Sequence, residues 1–241
     1  MISTRDILTS GLEELGLIIK PEQIDLFEKF MDLMLDWNEK INLTAITEPY
    51  EVITKHFIDS VTPLAYAEKY ELDLSSVLDL GTGGGFPGVP LKIIRPKISV
   101  LLADSLKKRI KYLELVIKEL GLKDISVYHG RAEEMGQDPK FREKFTNVFS
   151  RAVAEMNILV EYCLPLVKVG GMFVALKGPD LEDELNQAKR AIKLLGGEIV
   201  GVECFDLPLI NDSRTLVFIK KVNPTPGKYP RRPGKPKKNP L

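Results

Sequence analysis

Residues 77–88, Val-Leu-Asp-Leu-Gly-Thr-Gly-Gly-Gly-Phe-Pro-Gly, leave a chain few ways to fold. A short apolar run carries Asp79 and ends where Gly81, Gly83, Gly84 and Gly85 crowd together. An apolar, helix-like segment then runs from Phe86 to about Arg95. This is the pattern of a buried strand, a tight turn and a helix. Glycine lets the turn take positive φ and lets a ligand lie against the backbone. Free N–H groups at the start of the following helix favour polar or anionic ligand groups.

The rest of the chain repeats the alternation. Strands are expected at 76–80, 98–103, 125–129, around 148–149, and at 172–176, 199–205 and 215–222. Helices are expected at 86–95, 105–120, 155–167 and 180–195. Such alternation gives a parallel sheet covered on both faces, the α/β class. The last connection is too short for a crossover helix, so one of the seven strands runs antiparallel. Residues 1–70 read as a helical region before this sheet domain of 71–222. Ile24, Phe27, Met31, Met34 and Leu35 mark one helix face there. Trp37 reads as core, residues 38–44 as a polar turn and residues 49–67 as another helix. His56 and Asp59 lie three apart on that helix, a spacing that by itself reads as a surface hydrogen bond.

Charge separates the chain into two parts. The 241 residues carry no net charge, yet eight Lys and Arg and no acid fall after position 219. The body is therefore acidic and the tail, 223–241, strongly basic, which points to a local polyanion contact. Rich in Pro, Gly and Lys, the tail is expected to be extended and poorly ordered alone. Cys163 and Cys204 stand in apolar surroundings without metal spacing and read as reduced core residues. Two histidines cannot build a His-rich metal site, so no metal is expected. No apolar run approaches a membrane span, and no secretory signal is visible. A cytoplasmic location follows as an expectation.

Ligands of such sheets bind outside the carboxyl ends of the strands. Those ends carry Asp79 and Gly81, then Asp104, residues 129–133, Ser150-Arg151 and Lys177. Two nucleotide ligands fit. Gly83, Gly85 and Gly88, with Asp104 some way on, match the dinucleotide pattern of an NAD-dependent oxidoreductase. Asp79-x-Gly81-x-Gly83-x-Gly85 instead resembles the glycine loop of class I S-adenosylmethionine-dependent methyltransferases, and is the better parse. Asp104 suits two ribose hydroxyls, or a helix cap. Ala132 and Glu133 fall near the adenine, Glu133 also fitting a solvated helix acid. Arg151 is no general base, since its pKa is too high. It suits a carboxylate, a phosphate or a guanine edge, or an ion pair with Glu155. Lys177 suits a phosphate contact or plain surface. No Tyr-x-x-x-Lys, Ser-His-Asp order, Walker lysine or Asn-Pro-Pro-aromatic motif is present, so the acceptor atom is expected to need little acid–base help.

Longer motifs carry a resemblance over nearly the whole chain. Residues 37–46 (Trp-Asn-Glu-Lys-Ile-Asn-Leu-Thr-Ala-Ile), 56–60 (His-Phe-Ile-Asp-Ser), 79–87, 104–109 (Asp-Ser-Leu-Lys-Lys-Arg), 130–133 (Gly-Arg-Ala-Glu), 150–154 (Ser-Arg-Ala-Val-Ala) and the basic tail resemble the RsmG (GidB) family. The resemblance implies a class I methyltransferase fold and S-adenosylmethionine as cofactor. It implies methylation of guanine N7 in bacterial 16S ribosomal RNA, with naked RNA or the small ribosomal subunit as partner. Cofactor contacts would fall on Gly81, Phe86, Asp104, Ser105, Leu106, Ala132, Glu133 and Arg151, and Asp79, Gly83 and Gly85 of the glycine loop are expected to bind the cofactor as well. Arg151, Lys177 and His56 are the candidates at the reacting atoms, and a monomer is expected. The tail would hold RNA phosphates, so trimming 223–241 is expected to weaken RNA binding and leave cofactor affinity intact. A non-catalytic RNA-binding or assembly protein is the rival outside enzymes.

Overall fold

A computed structural model describes residues 3–179 and 181–241. Residues 1 and 2, and Asp180, where a helix was expected to open, lie outside the described residues.

The chain begins with α1 (Thr4–Glu14), whose Ser3 cap and Asp6 satisfy each other's backbone N–H groups. Pro21 opens α2 (Pro21–Ile41), and Asn42 closes it at φ 48°. Ile24, Phe27, Met31 and Met34 are buried, as their spacing predicts, together with Phe30. The helix takes in half of the expected turn. Asn38 is nonetheless capping in character: its Oδ1 accepts from the N–H groups of Leu43 and Thr44 at 2.7 and 2.8 Å. The helix expected over 49–67 is broken into α3 (Pro49–Val52), a π-helical turn Ile53–Ile58, α4 (Asp59–Val61) and a 3-10 turn Thr62–Tyr66. His56 sits in the widened turn, a geometry that recurs at functional sites.

The alternating part follows as β1 (Ser76–Leu80), α5 (Gly88–Ile94), β2 (Ser99–Asp104), α6 (Lys107–Leu120), β3 (Ile125–His129), α7 (Ala132–Met135), β4 (Phe145–Arg151), α8 (Met156–Cys163), β5 (Val167–Lys177), α9 (Glu182–Leu194), β6 (Gly197–Asp206) and β7 (Ser213–Lys221). The seven strands lie in the order 3-2-1-4-5-7-6, and β7 is antiparallel to both neighbours. The order reverses between β1 and β4, which places a crevice at the carboxyl end of β1.

Side chains alternate across β1, so its residues serve two cores. Val77 joins the core formed with α2, the 53–61 segment and α5–α6, so the N-terminal helices share the sheet's own core. Leu78 and Leu80 join the core under α8 and α9. Two local readings change. The strand expected at 172–176 begins at Val167 and runs through Gly170-Gly171, where glycine fits the close approach of β4: a Cβ on Gly171 would stand 2.5 Å from the Thr146 carbonyl oxygen. Cys204 is exposed, since β6 is an edge strand whose outer residues alternate to solvent; Cys163 is buried as expected. No helix of the described residues is long and apolar enough to cross a membrane.

The tail is not loose. Tyr229 joins the second core, and a short helix α10 (Lys235–Lys238) packs on α8. The Arg142 guanidinium donates to the Thr225 and Tyr229 carbonyls at 2.6 and 2.7 Å. Arg231 forms a two-pronged pair with the fully buried Glu161. Composition counts the tail's charges; it does not reveal that the body holds a buried carboxylate for one of them.

Candidate active site at the carboxyl edge of the sheet

The glycine loop is held from behind by Asp79. Its Oδ2 accepts from the Thr82 hydroxyl and the Gly88 N–H, both at 2.7 Å, which ties the two ends of the loop together. The carboxyl is fully buried, and burial pushes its pKa up to about 7. Gly88 has no alternative there: a Cβ would stand 2.3 Å from the Leu102 Cδ2 and 2.8 Å from Asp79 Oδ2. Gly81, at φ +75°, leaves no room for a side chain either, since its Cβ would meet Val153 at 2.4 Å. Two cavities open on the front of the loop, and Gly81 lines both.

The smaller cavity, about 180 Å³, lies between Gly81, Asp104, Ser105, Ala132, Glu133, Val153 and Tyr162. Asp104 accepts from the Leu106 N–H at 2.8 Å with one oxygen. The other takes the Gly83 N–H at 3.0 Å and Arg109 Nη1 at 3.2 Å. Glu133, also buried, accepts from the Gly234 N–H at 2.9 Å with one oxygen. Its second oxygen makes no other hydrogen bond among the described residues. An acceptor-rich slot with glycine at its floor fits the hydroxyls and amino group of an adenosine.

The larger cavity, about 470 Å³, is cationic: Lys55, Arg109, Arg151, Lys177 and Arg214 line it, with Asp59 the one carboxylate. Arg151, the last residue of β4, donates through Nη1 to Asp59 Oδ2 at 2.5 Å. Arg214 Nε reaches the other Asp59 oxygen at 3.3 Å. The Phe86 ring has the Arg151 guanidinium at 5.0 Å and stacks on His56 at 4.7 Å and 19°. A His56 ring nitrogen bonds the Thr44 hydroxyl oxygen at 2.7 Å. Burial, then the neighbouring Arg151 charge, lower the His56 pKa to about 3, so the ring is neutral at physiological pH. Lys177 is anchored by the Ala154 carbonyl at 3.0 Å and Glu184 at 2.6 Å.

A family profile described as rRNA small subunit methyltransferase G matches residues 23–216. The ribosomal RNA small subunit methyltransferase G of Alkaliphilus metalliredigens is 46% identical over 240 residues, covering 100% of both chains. That of Geobacillus sp. (strain WCH70) is 49% identical over 231 residues, covering 95% of this chain and 96% of its own. The chain belongs to this family. Among solved structures, the O-methyltransferase from Bacillus cereus in complex with SAH aligns with a TM-score of 0.57 at 17% identity, covering 91% of this chain and 100% of that one. At that identity the likeness speaks to the class I methyltransferase fold alone.

The candidate residues sort between the two cavities. Gly81, Asp104, Ser105, Ala132 and Glu133 line the smaller one. His56, Gly83, Phe86, Arg151 and Lys177 line the larger one. Asp79 stands behind the loop. Gly85 does too, its Cα turned toward Val89 and Leu113. Leu106 gives its N–H to Asp104 and leaves its side chain exposed. The ion-pair partner of Arg151 is Asp59, not Glu155. Asp59 itself is a buried hub and no surface residue; its spacing from His56 was the signal available. Arg214 carried none. It reaches the site only because β7 is antiparallel, so that its amino end lies where the parallel strands have their carboxyl ends. Among the described residues no group of three His, Cys, Asp or Glu side chains is placed to hold a metal.

Proposed function

We propose that this chain transfers a methyl group from S-adenosylmethionine to N7 of a guanine in small-subunit ribosomal RNA. The observation that carries the reading is the pair of cavities sharing Gly81: one of about 180 Å³ and rich in acceptors, the other larger, cationic and open. When bound, S-adenosylmethionine supplies an electrophilic methyl group on a positively charged sulfur. Asp104 and Glu133 would hold the adenosine end, and Arg151 would face its carboxylate or the target base.

Guanine N7 has an in-plane lone pair and no proton to lose, so its attack on the methyl group needs no base. The larger cavity suits that demand. His56, with a pKa near 3 and a ring nitrogen bonded to Thr44, is too weak a base to take a proton. The flat His56–Phe86 pair offers a stacking wall for a purine. Arg151 and Arg214 offer donors to O6, the acceptor beside N7, and leave the N7 lone pair free to attack. The contribution of the chain is alignment and exclusion of water rather than proton transfer. N7 lies on the Hoogsteen edge, so the target guanine belongs to a loop or is splayed from its stack. Arg131 lines the smaller cavity, and the exposed Lys107, Lys108, Arg232, Lys235 and Lys237 stand near in sequence to its Ser105 or to Gly234, which bonds Glu133; all six suit the phosphate backbone.

Ligand-dependent melting separates this reading from a dinucleotide oxidoreductase. S-adenosylhomocysteine at about 100 times its Kd is expected to raise Tm by roughly 5–10 °C, with NAD inert. A rise with NAD and none with S-adenosylhomocysteine would reverse the assignment.

A further inference from the structure

The C-terminal segment packs behind the smaller cavity, bonded to one of the residues that line it. Glu161 of α8 is fully buried and takes Arg231 at both oxygens, by Nε at 2.9 and 3.1 Å and by Nη2 at 2.6 Å. The Arg231 N–H adds a bond of 2.8 Å. Three residues on, the Gly234 N–H donates to Glu133. The same short stretch of body is gripped again just beyond. Gln137 Nε2 donates to the Pro230 carbonyl at 2.8 Å, and the Pro230 ring covers Gly136, where a Cβ would stand 2.6 Å away.

Between these contacts lies α7, four residues long, which carries Ala132 and Glu133 into the cavity. A helix of one turn has no stability of its own, because the nucleation cost is not recovered over so few residues. Its position must come from what packs on it. α7 packs on α8 and sinks Met135 into the second core, and the tail adds the Gly234 bond to Glu133 and the contacts at Gly136 and Gln137.

We propose that the C-terminal segment is a positioning element for the cofactor, with Arg231 as its anchor and α7 as the part it sets. The proposal rests on the S-adenosylmethionine reading of the cavity. It replaces the expectation that trimming the tail spares cofactor affinity. Because coupling between two events is reciprocal, a ligand that needs α7 in place must also favour the docked tail.

The test uses the full chain with both ions replaced, Arg231→Met with Glu161→Met, so that no buried charge is left unpaired. Titration calorimetry with S-adenosylhomocysteine is expected to show Kd rising about tenfold, within the usual range of coupling between sites. KM for S-adenosylmethionine rises in parallel while kcat at saturation holds, and Arg231→Lys falls between. Should the double variant not fold, wild-type protein decides: saturating S-adenosylhomocysteine slows tryptic cleavage after Lys228 and Arg231 several-fold. Unchanged Kd in a folded double variant, or unchanged cleavage in the wild type, overturns the proposal while leaving the methyltransferase reading intact. A wild-type chain that does not bind S-adenosylhomocysteine overturns both.

Discussion

Asp59 is the residue on which the larger cavity turns. Its two oxygens separate Arg151 from Arg214, so two guanidinium groups stand together with a compensating charge between them. Replacing Arg151 with alanine leaves Asp59 paired with Arg214, so the fold is expected to survive with cooperative unfolding. Methyl transfer is expected to fall by about 100-fold or more, the loss that follows when a positioning contact at a reacting centre goes. Wild-type turnover by Arg151→Ala would place the reaction elsewhere. His56 gives a prediction in pH. Its folded-state pKa near 3 lies below the ordinary 6.5, because the ring is buried beside Arg151. Between those values the unfolded chain takes a proton that the folded chain refuses, so His56 costs stability as pH falls from 6.5 towards 3. Above 6.5 the ring is neutral in both states and contributes no slope. His56→Gln removes this titration, so its stability relative to wild type should improve between pH 7 and pH 4.5 in urea unfolding. Parallel curves would show that the ring is freely protonated in the folded protein.

Among the elements, the strand–loop–helix at β1 was legible because every local signal agrees: an apolar run, glycines and then an apolar helix. Gly88 tests how tightly that unit is packed. Gly88→Ala is expected to cost about 1–3 kcal/mol, as overpacking does, because the new methyl group meets Leu102 and the Asp79 carboxylate. An unchanged urea midpoint would mean the loop can shift freely. Elements that depend on distant partners were less legible. The stretch 49–66 has helical periodicity throughout, yet it widens at 53–58, where His56 and Phe57 stack against Phe86 and Phe30. The strand expected to begin at 172 begins earlier, at Val167, because nothing local announces the Thr146 carbonyl that excludes a side chain at Gly171. The tail looked unstructured because its own composition cannot bury a core, whereas Tyr229 and Arg231 borrow one from the body.

At the scale of the whole molecule, topology assembles the site. Parallel strands all end on one edge, so Asp104, Arg151 and Lys177 could be placed from sequence order alone. Arg214 could not, because it comes from the amino end of the antiparallel strand. Asp59 arrives from outside the sheet altogether, on the helices that share its core. The acidic body and basic tail meet where the tail docks, which brings the start of α10 beside Glu133 of the smaller cavity. The measurement that bears most directly on this arrangement is mass-spectrometric mapping of the modified nucleoside. Small-subunit RNA, naked and assembled, is incubated with the full chain and S-adenosylmethionine. N7-methylguanosine at a single accessible guanine is the expected product. A methyl group on any other atom, or no transfer to either form of the RNA, would contradict it.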